Sequence, residues 1–161
     1  MAGEPFRLSR AVLSLKVLAT CCVFALAVGY SVSMLQVYNR SHYKKEEAIL
    51  HYRGSPDRDG LSIPQSDTEM ISVAHVHTFT QPAILGMMGL MLVFTGLSEG
   101  SKSFWIVLSF LGSFAKNASP WLIRDVSPGF IYLMYFGGGA MFLSFAAMAL
   151  AILMEVWSRK K

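Results

Sequence analysis

Two histidines stand one residue apart in His75-Val76-His77, and imidazole is a common ligand of transition metals and of haem iron. Two positions along a helix turn a side chain through about 200°, so these rings cannot close on one ion from one regular helix. One ligates and the other bonds elsewhere, and a second ligand has to come from another segment. His42 and His51 are the first candidates for it, with Asp125 behind them. His77 is the better primary ligand, because Gln81 lies one turn on and Thr80 is placed to orient the ring. A ligating imidazole usually has its second nitrogen hydrogen-bonded. Pro82 lacks an N–H and frees the carbonyl of Thr78, where a bend is expected. The expected site is therefore cofactor binding by His77 and His75, and a metal set drawn from His42, His51, His75 and His77. Thr78, Thr80, Gln81 and Asp125 form its polar surround, and haem b or a transition metal is the group it would hold.

The elements that position these residues are membrane spans. The 161-residue chain is 53% hydrophobic with a mean hydropathy of +0.45, and a bilayer core needs about 20 apolar residues per helix. Four stretches approach that length: 11–35, 74–97, a shorter one at 103–119, and 128–157. Between the first two lies the one soluble segment of any size, 36–73, too short to bury a core of its own. The expected fold is an all-α membrane protein in one domain, 1–161, with four transmembrane helices and one long outer, periplasmic loop at 36–73. The first stretch follows Arg7, Arg10 and Lys16 like a signal peptide, but its apolar run is too long for one, so a retained span is expected.

Trp105, Trp121 and Trp157 each fall at a span end, where an amphipathic indole prefers to sit. Arg7 and Arg10 open the chain and Arg159-Lys160-Lys161 close it, so both termini are expected in the cytoplasm. Lysine and arginine divide equally, seven to a side, but the inner segments are shorter and denser in charge. Within the loop, 41–51 is charged and helix-compatible, and Gly54, Pro56, Gly60 and Pro64 break any regular structure beyond it. Ser66-Asp67-Thr68-Glu69 then reads as a capping box, so the second long helix should start near Asp67. His75 and His77 fall near the outer interface as a result. Ser127-Pro128 should open the last helix, and its run Gly137–Ala140 is expected to pack closely, Gly138 included. Lys116 is expected to snorkel outward.

Several classes are excluded. The only cysteines, Cys21 and Cys22, are adjacent and lie within a span, so no disulfide framework and no covalent c-type haem is built here. Phosphate-loop and nucleophile-elbow motifs are missing, and no acid or histidine relay crosses the membrane centre, which disfavours a proton-coupled transporter. The net charge of +4 follows the terminal basic residues and reads as topology, with no nucleic-acid partner.

His75-Val76-His77 followed by Gly86 and Gly89 is similar to the histidine-bearing helices of haem-copper oxidases, a likeness confined to one helix. The layout as a whole resembles uncharacterised bacterial four-helix inner-membrane proteins. That likeness rests on Tyr38-Asn39-Arg40, His51-Tyr52-Arg53-Gly54, His75-Val76-His77 and Ser119-Pro120-Trp121-Leu122-Ile123-Arg124, and it brings no activity with it. The expectation is a multi-pass subunit of a larger respiratory or metalloenzyme complex in the bacterial inner membrane, involved in electron transport and without catalysis of its own. Its partners would be lipid, other membrane subunits or a periplasmic protein. The alternatives are a cofactor-free structural or assembly subunit docking a partner through the loop, and an oligomeric small transporter or channel.

Overall fold

The computed structural model describes residues 6–42, 44–54 and 63–158. The breakers Pro56 and Gly60 and the terminal Arg159-Lys160-Lys161 lie outside the described residues. The described chain is all-α, with five α-helices: α1 (Leu13–Ser41), α2 (Lys45–Arg53), α3 (Asp67–Val93), α4 (Glu99–Asp125) and α5 (Ile131–Trp157). Short 3-10 turns at Leu8–Arg10 and Pro128–Phe130 precede α1 and α5.

Local chemistry sets the helix ends. Ser66 accepts from the Glu69 amide, and Glu69 Oε2 accepts in return from the Ser66 amide at 2.9 Å. This capping box starts α3 at Asp67, as the sequence indicates, and such a cap contributes about 1 kcal/mol. α3 then continues as helix through Pro82 to Val93. Ser98 caps α4 by accepting from the Ser101 amide. Ser127 accepts from the Gly129 amide, but the turn it opens is 3-10, and α5 itself begins at Ile131.

The four long helices alternate in direction, and contacts at the two ends fix this. At one end the Leu8 amide donates to the Phe94 carbonyl (3.0 Å), and the Gly96 amide donates to Glu155 Oε2 (3.0 Å). The Trp157 indole N–H donates to Thr20 Oγ1 (3.1 Å), joining the last helix to the first. A core of Leu8, Val23, Met88, Leu92, Met148 and Ile152 fills this end. At the other end a smaller core of Ala48, Ile123 and Ile131 sits under α2. Arg53 Nη1 donates to the Ile123 carbonyl (2.9 Å), and Arg124 bridges Asp67 (2.6 Å), Asp125 (2.7 Å) and the Gln65 carbonyl (3.0 Å). The segment 36–73 is thus less of a loop than expected: α1 extends to Ser41, and α2 folds back onto the bundle.

Three helices are long and apolar enough to cross a membrane: 13–39, 67–93 and 128–157. α4, the expected third span, is as long as its neighbours but too polar by composition to qualify, because serines, lysines and Asn117 interrupt it. Their placement is informative. α4 buries Lys102, Ser109, Gly112, Ser113 and Ser119 and turns Phe104, Val107, Leu111 and Phe114 outward. A helix whose small and polar face is buried and whose large apolar face is exposed suits an apolar solvent.

The closest approach in the bundle is between α4 and α5. A Cβ on Gly137 would lie 2.6 Å from the Lys116 amide nitrogen and 2.7 Å from the Gly112 carbonyl oxygen. A Cβ on Gly112 would meet the Gly137 carbonyl at 2.9 Å. Gly138 and Gly139 have nothing within 4 Å of that position. The expectation for Gly137–Ala140 is therefore corrected: Gly137 makes the close crossing with Ala140 packed beside it, and Gly138 opens onto space. Gly137→Ala should push the two backbones apart and cost about 1–3 kcal/mol, whereas Gly138→Ala should keep or slightly raise stability, since alanine is favoured over glycine in a helix interior. Thermal unfolding of the two variants in the same detergent checks this order.

Candidate functional site

Between its two packed ends the bundle is hollow, and the hollow is polar on one side. The fourth and fifth turns of α3 bring His77 and Gln81 to the inner face. One face of α4 carries Ser109, Ser113, Lys116 and Asn117 at helical spacing. Gln81 joins the two helices. Its Oε1 accepts from Ser113 Oγ (2.7 Å) and from Asn117 Nδ2 (2.9 Å). Both partners are donors here, so they fix the orientation of the amide. Gln81 Nε2 is then directed at His77 Nδ1, 3.4 Å away. In the neutral imidazole Nδ1 is therefore the acceptor, and the ring proton sits on Nε2.

The two adjacent histidines separate as helix geometry requires. His75 is exposed on the outer face of α3, its ring edge-on to Phe79 at 5.1 Å. His77 faces inward. Thr80 does not orient the His77 ring; its hydroxyl donates to the Val76 carbonyl (2.8 Å), satisfied within its own helix. Thr78 is exposed. The proposed partner histidines lie elsewhere. His42 ends α1 in the left-handed conformation (φ 46°), exposed, its ring 5.4 Å from Tyr38. His51 Nε2 is 3.0 Å from Gln65 Nε2, and its ring lies edge-on to Tyr52. Asp125 forms a two-point pair with Arg124, at 2.7 and 3.1 Å. Among the described residues no three histidine, cysteine, aspartate or glutamate side chains come together in a way that could hold a metal ion.

Lys116 departs from its expected place at the surface. It is half-buried and lines three cavities that separate α1 from the other helices. One, of 120 Å³, lies between α1, α3 and α4 and includes His77, Asn117 and Trp121 in its wall. A second, of 230 Å³, runs toward Tyr30, Gln81 and Phe145. The third and largest of the three, 370 Å³, lies beneath α2 and is lined by Tyr30, Met34, Tyr52, Tyr135, Gly138 and Phe142. Among the described residues no carboxylate lies within ion-pair distance of the Lys116 amine. Lys116 lies nine positions before Asp125, the last residue of α4, so its backbone is ~14 Å down the helix. The signal for it was present: Ser109, Ser113, Lys116 and Asn117 recur at three- and four-residue steps, the mark of one helix face.

Three of the helices around this cluster are long and apolar enough to cross a membrane, and the family comparison agrees with a membrane protein. Residues 42–161 match a protein family described as a transmembrane helical domain, Aq_1264_TM. The chain belongs to this family. The match takes in α2 to α5 and begins just after α1, so the transmembrane helical domain supplies Gln81, Ser113, Lys116 and Asn117, while α1 walls the cavities from outside the matched region. No curated protein and no solved structure matches the chain.

The network gives a direct expectation. Gln81→Leu leaves Ser113 and Asn117 without their shared acceptor and releases the His77 ring. The cost should be about 1–3 kcal/mol per donor left unsatisfied. Gln81→Glu keeps the acceptor and should be the milder change. Thermal unfolding of both variants, with the His77 ring nitrogens followed by ¹⁵N NMR, checks the order and the loss of a single ring tautomer in Gln81→Leu.

Proposed function

We propose that this transmembrane helical domain is a four-span subunit of a larger membrane assembly and holds a small lipid-soluble molecule in the chamber around Lys116. The observation that carries this reading is the chamber itself. One lysine lines three cavities, beside a hydrogen-bonded His77–Gln81–Ser113–Asn117 cluster, within helices that turn their apolar side chains outward. Polar and ionisable groups inside a membrane are costly and are kept where they bind or conduct something. The 370 Å³ cavity lies within the usual range of small-molecule sites, about 300–1,000 Å³, and such sites combine apolar walls with a few convergent polar groups.

In this reading α4 is the fourth span, its polar face sheltered by α3 and α5. The termini lie on the cytoplasmic side of a bacterial inner membrane and α2 on the outer side, a topology supported by the terminal basic residues and by the tryptophans at the helix ends. The chamber supplies hydrogen-bond donors and a positive charge, groups that seat and orient a molecule. A respiratory assembly is one setting in which such a molecule would be a redox carrier.

Haem or a metal at His77 is the competing occupant. Ligation needs a ring-nitrogen lone pair, but Nδ1 faces the Gln81 amide and Nε2 carries the proton. Coordination would require Gln81 to turn and give up its bonds to Ser113 and Asn117. The geometry therefore favours a hydrogen-bonded ligand over a coordinated one. Native mass spectrometry of the assembly released in mild detergent, with its absorbance spectrum and metal content, decides between them. The expected result is a stoichiometric small amphiphile that is lost in Gln81→Leu. A Soret band or stoichiometric metal that disappears in His77→Ala would show that ligation is the correct reading instead.

A further inference from the structure

We infer that the chamber takes a single-chain amphiphile with an anionic head, which Lys116 reads, while the tail occupies the cavity alongside Gly138, Gly139 and Phe142. The inference rests on the chamber being a ligand site, as proposed above, and adds the class of ligand.

Charge decides the head group. The Lys116 amine has no carboxylate within ion-pair distance among the described residues, and the residue lines all three cavities. A lysine amine elsewhere in α4 shows what pairing looks like in this protein: Lys102 is buried and bonds Glu99 at 2.8 Å, whereas Lys116 is half-buried. An ammonium held in apolar surroundings calls for an anion, and a ligand carboxylate or phosphate supplies it. Polar neighbours fit the same head group, since Asn117 and His77 line the smallest cavity beside Lys116.

Shape decides the tail. The largest of the three cavities is walled by Met34, Tyr52, Met134, Tyr135 and Phe142, with no acidic side chain in the wall. Gly138 and Gly139 give it depth, because nothing lies within 4 Å of where a Cβ would stand on either. At 370 Å³ the space is of a size for one alkyl chain. α2 closes it from above through Ala48, His51 and Tyr52. A carboxylate on an acyl chain and a phosphate monoester on one are the two sources of such a ligand.

The test uses the full chain in mild detergent, with palmitate, lysophosphatidic acid and the neutral hexadecanol as probes, binding being read by native mass spectrometry and by thermal shift. Palmitate or lysophosphatidic acid should bind with one-to-one stoichiometry and raise the unfolding temperature, and whichever binds more tightly identifies the source. Hexadecanol should bind at least about ten-fold more weakly, the loss expected for one charge-assisted hydrogen bond. Lys116→Met should lose the preference and Lys116→Arg should keep it. Gly138→Leu should weaken palmitate while leaving octanoate nearly unchanged. Equal binding of palmitate and hexadecanol to the unaltered chain overturns the anionic head group without needing any variant to fold. If hexadecanol binds equally and still depends on Gln81, the chamber stands as a site for a neutral molecule and only this inference falls. If no probe binds and Gly138→Leu is without effect on any co-purifying molecule, both fall together.

Discussion

The backbone-to-backbone crossing of α4 and α5 at Gly112 and Gly137 is the constraint on which the rest of the bundle depends. With a Cβ at either glycine the helices could not come so near. Their proximity is what lets α4, the most polar of the long helices, hide its serine face. Of the hydroxyls on that face only Ser113 bonds to another helix, at Gln81; Ser109 donates to Ile106 and Ser119 to Ala115, each within its own helix, and across the crossing Ser144 on α5 donates to Ala140. Small hydroxyls bonded to their own backbone behave almost as apolar surface, so two helices can meet closely without a hydrophobic residue between them. Phe104, Leu111 and Phe114 are left to face outward, which is where a lipid-soluble helix needs them.

The same crossing organises the chamber. It brings the Lys116 backbone against Gly137 and leaves Ser113 and Asn117 directed at α3. There Gln81 ties Ser113 and Asn117 to His77. Tight packing on one side of α4 and open space on the other are two results of one arrangement. At the loop end Arg53 holds α2 to α4 through the Ile123 carbonyl, and Arg124 ties α4 to the start of α3 at Asp67.

Much of this was legible from residue types. The capping box at Ser66 and Glu69 specified where α3 begins, because its two hydrogen bonds need only residues three apart. The opposite directions of His75 and His77 followed from helix periodicity alone, as did the sharing of a face by His77 and Gln81. Other features were not legible. Lys116 looked like an interfacial lysine because a sequence does not show that three cavities converge beneath it. Gly137 and Gly138 look alike in a glycine run, and only the position of α4 tells the tight one from the open one. Gathering all four histidines on one side suggested a shared site. Each instead has its own neighbour: Tyr38, Phe79 and Gln81 stand four residues from their histidines, and only the His51–Gln65 pair depends on how the loop folds back.

A bundle packed at both ends and hollow in the middle also has a mechanical character. Unfolding eliminates internal voids, and the volume lost scales with them, so compression favours whatever state removes the empty space. For this chain that state is either unfolded or filled. Hydrostatic pressure should therefore act on the empty protein far more than on one whose chamber is occupied, and α1, the wall with the least packing behind it, is where the compressed structure would yield first.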